Sequence, residues 1–247
     1  MKRHKVMIIG GTSGIGLALA HHYLDAGADV AICGRNPERV DPQFVVRYPL
    51  LRLISVNIVD REAVRRATVS FAGDGLDLLI VTAGFYADTK TLERIPDAGM
   101  QMLRTNVLGV TYAFEAASEI MCERGHGHLV ALASIAGLLR EYPGRSLYSS
   151  TKCAVIALCD VYRKALAPHG ITVSAIIPGY VDTARLRELN EGNAREKPFL
   201  CSEADAVMQI TRAIERRLAR HVFPWQLHWL IRVFNLMPAP LRQLRKK

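Results

Sequence analysis

Four consecutive apolar residues, Val6, Met7, Ile8 and Ile9, run directly into Gly10-Gly11-Thr12-Ser13-Gly14-Ile15-Gly16. A short continuous apolar run bounded by turn residues reads as a strand buried on both faces, the usual condition of a strand in a parallel sheet. The residues after it, 14–26, read as a helix ended by Gly27. Glycines between strand and helix permit a tight turn. They also let backbone N–H groups approach an anion at the helix N-terminus, where the helix dipole favours negative charge. The spacing is G-x-x-x-G-x-G. A parallel sheet needs helical crossovers to bury its faces, so this opening predicts an α/β chain.

The remaining pattern agrees with that frame. Apolar runs at 29–33, 50–58, 76–81, 129–133 and 171–177 read as further strands. Helices are expected at 60–71, capped by Asp60, and at 97–124 as one long element. Two more are expected at 148–167, stopped by Pro168 and Gly170, and at 203–219, capped by Ser202. Between Pro37 and Pro49 lie three prolines and little helical periodicity, so that crossover should be short or irregular. At 247 residues, half of them hydrophobic, the chain suits one domain with a substantial core.

A formal charge of +9 favours anionic partners: cofactor phosphates, an acidic acyl carrier or anionic lipid. No zinc-finger or RNA-binding signature is present, so no specific nucleic acid partner is expected. The five cysteines lack C-x-x-C spacing, which fits reduced thiols and a cytoplasmic protein. No H-E-x-x-H occurs, and His126 and His128 flank Gly127 in what reads as a turn, so no metal is expected. Met1-Lys2-Arg3-His4-Lys5 before an apolar run imitates a secretory signal. Glycines interrupt its apolar core, and cleavage would destroy the turn, so the signal is rejected. No apolar stretch reaches the ~20 residues a bilayer requires.

Chemistry concentrates in Tyr148-Ser149-Ser150-Thr151-Lys152. Residues four apart share one face of a helix, so the Tyr148 phenol and the Lys152 ammonium project together. A phenol ionises near ~10 in water, and a neighbouring cation lowers that value, making it a usable proton donor and acceptor. Fourteen residues upstream, Ser134 leaves the apolar run 129–133 and could hold a carbonyl oxygen between two hydroxyls.

Together with the glycine turn, Ala83-Gly84, Asn106 and Pro178-Gly179, these residues resemble the short-chain dehydrogenase/reductase family from about residue 6 to 183. The resemblance implies a single doubly wound, Rossmann-type parallel sheet with helices on both faces. It implies oxidoreduction of a ketone and a secondary alcohol with a nicotinamide dinucleotide. Ser134 would hold the carbonyl oxygen and Tyr148 donate the proton. Lys152 would lower the Tyr148 pKa and bind the nicotinamide ribose, while Asn106 bends its helix and holds a relay water. The pyrophosphate would lie on Gly10, Thr12, Ser13, Gly14, Ile15 and Gly16, with Asn57 and Ile58 beside the adenine. Ala83 and Gly84 would line the strand end. Pro178-Gly179 would approach the nicotinamide face, with Val181 and Thr183 at the carboxamide and pyrophosphate. Asn57 and Thr82 stand where the family usually carries Asp and Asn.

An acidic residue about twenty positions after the glycine turn would bind the ribose hydroxyls of NAD and repel a 2′-phosphate. Here Gly34-Arg35-Asn36 follows the second strand, and Arg35 suits bidentate contact with that phosphate. NADP(H) is therefore expected, with NAD(H) as the alternative. Residues 180–202, charged and glycine-containing, read as a lid over the substrate, and Arg140, Glu141 and Arg145 as the mouth of the site.

The division expected is a dinucleotide-binding and catalytic domain at 1–224 and an amphipathic, basic extension at 225–247. On a helix over 225–237, His228, Arg232 and Asn235 share one face and most other residues are apolar. With Arg242, Arg245, Lys246 and Lys247 following, the extension suits a peripheral membrane contact, a lid on an apolar pocket, or the interface of a homodimer. An apolar or acyl-like ketone is the expected substrate. The competing readings are a 3-oxoacyl-carrier-protein reductase and a non-catalytic dinucleotide sensor.

Overall fold

The computed structural model describes residues 3–139 and 146–237. Arg140, Glu141, Arg145 and the basic residues after Met237 lie outside them.

The first half alternates strand and helix: β1 (Lys5–Ile9), α1 (Gly14–Asp25), β2 (Asp29–Gly34), α2 (Pro42–Arg47), β3 (Arg52–Ser55), α3 (Arg61–Ala72) and β4 (Leu78–Val81). Then follow α4 (Thr89–Arg94), α5 (Ala98–Leu103), a π-helical turn over Arg104–Leu108, α6 (Gly109–Arg124) and β5 (Gly127–Leu132). The chain closes with α7 (Leu147–Leu166), β6 (Ile171–Pro178), α8 (Ala184–Glu188), α9 (Glu203–Glu215), β7 (Arg220–Phe223) and α10 (Trp225–Leu236). Seven parallel strands stand in the order β3-β2-β1-β4-β5-β6-β7. The chain winds outward from β1 to β3, then returns past β1 to β4. That reversal opens a crevice at the carboxyl ends of β1 and β4, the usual ligand position in such sheets.

Strand alternation divides the core in two. Met7 and Ile9 face α3, α6 and α7, where Val64, Phe71, Phe114 and Val155 are buried. Val6 and Ile8 face α1 and α9, with Leu19, Leu24, Ile210 and Ile214. Phe114 is fully buried and meets Tyr162 edge-on at 5.3 Å between centroids. Cutting such a ring back to alanine typically costs about 3–5 kcal/mol.

The departures from the sequence-based expectation have local causes. Strand β3 is four residues rather than nine, because its neighbour β2 ends at Gly34, opposite Ser55, and leaves nothing further to pair with. The long helix expected over 97–124 is interrupted by the π turn, within which the Asn106 amide bonds outward to another loop. The proline-rich segment is indeed short and irregular, a 3₁₀ turn followed by six residues of α2. His128 is not in a turn. It is buried in β5, with Nε2 2.8 Å from Ser174 Oγ, whose hydroxyl donates to the Leu218 carbonyl at 2.6 Å.

Strand β7 was not expected at all. Val222-Phe223 lies beyond the last apolar run of useful length, yet it pairs with Ile177 and Pro178 of β6. Its partner strand delivers the Pro178-Gly179 turn, so β7 fixes one wall of the crevice. Helix α10 then folds back over the sheet and buries Leu227 and Ile231 in the α3/α6/α7 core. Among the described residues, no helix is long and apolar enough to cross a membrane.

Candidate active site

The floor of the crevice is the glycine turn. Gly10 has φ +97°, and a Cβ there would sit 2.3 Å from the Ala83 nitrogen. A Cβ on Gly16 would lie 2.4 Å from the Gly10 carbonyl oxygen and 2.6 Å from Thr82 Oγ1. Only glycine fits at both positions, and the turn packs directly on the end of β4. Thr82 serves that packing: its hydroxyl donates to the Ile9 carbonyl at 3.3 Å, beside the Thr82 and Ala83 N–H groups. Ser13, the N-cap of α1, makes no side-chain cap bond, and the first turn carries no acidic residue. The N-terminus of α1 is thus shaped and charged to receive a phosphate group.

Around that floor runs a cavity of about 1600 Å³. Gly10, Thr12, Ser13, Gly14, Ile15 and Gly16 line it at one end, with Arg35, Asn57 and Ile58 past the tips of β2 and β3. Ala83, Gly84, Ser134, Tyr148, Lys152, Pro178, Gly179, Val181 and Thr183 line the rest. Arg35 is exposed, directly after β2. Asn57 Oδ1 faces its own loop, accepting a long 3.4 Å contact from the Val59 N–H. Thr183 caps α8 by accepting from the Leu186 N–H at 3.1 Å, and its methyl carbon would lie 3.5 Å from a Cβ on Gly14.

The reactive side chains come from two elements pressed together. Helix α7 starts with a capping box in which Ser146 and Ser149 exchange side-chain bonds to each other's backbone, so Tyr148 falls in its first turn. Lys152 follows one turn later. Opposite them, Ser134 leaves β5 and caps the 3₁₀ turn Ile135–Leu138, accepting from the Ala136 N–H. That turn lies flush on α7, because a Cβ on Gly137 would be 2.7 Å from the Lys152 carbonyl carbon. The close approach brings Ser134 beside Tyr148, where its hydroxyl acts on the phenol.

Asn106 does not line the cavity; it is buried behind it. Its Oδ1 accepts from the Phe85 N–H at 2.7 Å, and its Nδ2 donates to the Phe85 carbonyl at 2.9 Å and to Thr151 Oγ1 at 3.0 Å. Thr151 in turn donates to the Tyr148 carbonyl at 2.7 Å. Asn106 therefore ties the loop after β4 to the helix bearing Tyr148. Both hydrogens of its side-chain amide are thus donated to protein groups.

Burial dominates the electrostatics of Tyr148 and Lys152. Burial pushes the Tyr148 phenol up to about 12, with Ser134 pulling the other way. Lys152 stands beside the phenol ring. The ammonium lies 5.8 Å from the ring centroid and donates to the Leu132 carbonyl at 2.9 Å. Burial pushes Lys152 itself down to about 8.

The matched residues now have a family. A model of the short chain dehydrogenase family matches residues 4–194. The chain belongs to the short-chain dehydrogenase/reductase family. An uncharacterized oxidoreductase of Myxococcus xanthus is 30% identical over 249 residues, covering 98% of this chain and 95% of the relative. One of Mycobacterium tuberculosis H37Rv is 27% identical over 249 residues, covering 97% and 96%. Among solved structures, ElxO with NADP bound superposes with a TM-score of 0.76 at 27% identity, covering 85% of this chain and 91% of that one. A short-chain dehydrogenase of Burkholderia cenocepacia J2315, in complex with NADP, shares the fold with a TM-score of 0.83 at 22% identity, over 100% and 98% of the two chains.

Within this short-chain dehydrogenase frame, Tyr86 and Thr151 carried no sequence signal. Tyr86 stacks edge-on against Tyr148 at 5.0 Å between centroids, although nothing in its surroundings marks it. Thr151 sits inside the Tyr–Lys stretch and passed unnoticed, because its role depends on Asn106 arriving from another helix. Leu227, Leu230, Ile231 and Phe234 of α10 line the cavity wall. The sequence left this segment open between membrane, partner subunit and pocket, and β7, which the pattern did not reveal, sets these residues on the wall.

The buried lysine has a measurable consequence. Its folded-state pKa of about 8 lies below the ordinary 10.5, so between those values the unfolded chain binds more protons. Stability must then rise with pH across that window, by roughly 3 kcal/mol if Lys152 acts alone. Urea unfolding at pH 7 and pH 10 should show this gain in the wild type and not in Lys152→Met. A wild type with no gain relative to the variant would mean that Lys152 is not held in the dry environment described.

Proposed function

We propose that this oxidoreductase interconverts a ketone and a secondary alcohol with NADP(H), and that its substrate is apolar. The observation that carries the reading is the convergence of the Ser134 and Tyr148 hydroxyls beside Lys152, at one end of a cavity whose other end is a phosphate-shaped glycine turn. Solved relatives described as binding NADP support the cofactor choice, together with Arg35.

When bound, NADPH supplies the hydride. The chain's own residues do the rest. Gly10 and Gly16 let backbone N–H groups receive the pyrophosphate, and Arg35 meets the 2′-phosphate. Ser134 Oγ donates to the carbonyl oxygen and fixes its position. Tyr148 Oη, beside Ser134, delivers its proton to that oxygen as negative charge develops there. In water a phenol with a pKa near 12 would be a slow acid, but a forming alkoxide is a stronger base still, so the transfer is downhill. Lys152 reaches the ribose hydroxyls and, when charged, stabilises the phenolate left behind. Asn106 holds a water that returns the proton to Tyr148. Homodimer formation belongs to the same proposal.

Apolar side chains from three sources support the substrate class: Tyr86 and Met100, Leu186 and Leu189 between β6 and α9, and the α10 residues named above. The test is single-turnover oxidation of NADPH against a panel of ketones of increasing chain length. The reading predicts turnover that rises with apolar length. Dinucleotide binding without oxidation by any ketone would instead favour a sensor.

A further inference from the structure

Helix α10 is apolar on two faces, and only one of them is used by the fold. Leu227 and Ile231 are buried in the core, and Asn235 donates to the Leu138 carbonyl at 2.8 Å, fixing that side to the domain. The opposite side carries Trp225, Trp229 and Leu236, whose relative exposures are 66%, 57% and 81%. Three large apolar residues at helical spacing on one outward face are more than scattered surface hydrophobicity. The polar row of the helix runs along the flank of this stripe rather than opposite the core, and the Arg232 guanidinium lies over the Trp229 ring at 5.3 Å. Leu230 and Val233 complete the exposed side, and both also line the catalytic cavity. The mouth of the cavity and the exposed stripe are therefore one continuous surface.

Charge indicates what that surface meets. From Trp225 to Lys247 the sequence has five Lys and Arg residues and no Asp or Glu; Arg232 is on α10 itself, and the other four follow Met237, outside the described residues. A second copy docked face to face would bring two such sets of cations together. An anionic lipid surface neutralises them, and tryptophan rings favour the boundary between headgroups and acyl chains. No crossing segment is needed, since α10 is twelve residues long and would lie in the plane of the interface.

We propose that the outer face of α10 docks the enzyme reversibly on an anionic membrane surface, setting the mouth of the catalytic cavity against the lipid. A ketone dissolved in the bilayer then reaches Ser134 and Tyr148 past Leu230 and Val233 without crossing water. This rests on the reading of the cavity as a substrate site, but its test requires no turnover.

The full-length protein is mixed with vesicles of phosphatidylcholine alone or with phosphatidylglycerol, and bound protein is measured by flotation. Binding to anionic vesicles should exceed that to neutral ones by about tenfold or more, and fall as salt is added. The triple substitution Trp225→Ser, Trp229→Ser, Leu236→Ser should bring it to background while NADPH binding stays unchanged. Tyr148→Phe should float like the wild type, which keeps a failure of the catalytic reading separate from a failure of this one. A wild type that stays in solution with both vesicles overturns the proposal, as does a triple variant that binds like the wild type. Equal binding to both vesicle types removes the part given to the cations and also overturns it. If vesicles are ignored and the triple substitution converts a dimer to monomers, the face belongs to a second copy.

Discussion

Tyr148→Phe should lower kcat for ketone reduction by about 10²–10⁴-fold, the range general acid–base catalysis supplies. The ring contact with Tyr86 is retained by phenylalanine, so the wall of the cavity survives and only the Oη proton and its interaction with Ser134 are lost. Affinity for NADPH should consequently change little, because the glycine turn and Arg35 lie at the far end of the cleft. Stopped-flow kinetics with a separate fluorescence titration of NADPH distinguishes the two quantities. A loss under tenfold would remove Tyr148 from its role as proton donor. A loss confined to KM would mean that the phenol only helps to bind.

Arg35→Ala should weaken NADPH binding by about ten- to a hundredfold and leave NADH nearly unaffected, since a charge-assisted contact contributes roughly 1.5–3 kcal/mol. The side chain is exposed at the end of β2, so its removal disturbs no packing and the titration reads the phosphate contact itself. If the wild type already binds both dinucleotides equally, the preference argued from Gly34-Arg35 fails, whatever the variant does.

These two residues illustrate what could be read without coordinates. Arg35 and the glycine turn are local: a strand, a turn and a helix in sequence place them, and apolar periodicity marks all three. Tyr148 and Lys152 are local as well, since one helical turn relates them. Ser134 needed only the end of an apolar run. Asn106 is different. That it lies on an interrupted helix was implied by family resemblance, but its three bonds go to Phe85 and Thr151, which come from other elements. No single-stretch pattern encodes such a meeting.

Tyr86 and α10 were hidden for a similar reason. Tyr86 follows the Ala83-Gly84 strand end without periodic context, and its contact with Tyr148 spans two elements. The apolar character of residues 225–237 was plain, yet which side would be buried depended on β7. That strand is only four residues long and holds its place through β6 and Gly179, whose N–H donates to the Phe223 carbonyl at 2.7 Å. A Cβ on Gly179 would meet Pro224 at 2.9 Å and Leu227 at 3.0 Å, so the Pro178-Gly179 turn and α10 are packed as one unit. Depth was not legible either, and burial sets the direction of both the Tyr148 and the Lys152 shift. Two groups one helical turn apart do interact, but burial outweighs the attraction when both sit in the dry interior.

If Ser134, Tyr148 and Lys152 carry out NADPH-dependent carbonyl reduction, rather than marking a dinucleotide site without chemistry, hydride must pass from the dinucleotide to the ketone carbon. The most direct measurement uses NADPH deuterated at the transferring carbon of the nicotinamide, a long-chain ketone, and mass spectrometry of the product. One deuterium in the secondary alcohol at the former carbonyl carbon, formed by the wild type and reduced to background by Tyr148→Phe, is the predicted result. An alcohol formed equally by both proteins, or tightly bound NADPH that transfers no deuterium to any ketone tested, would contradict it.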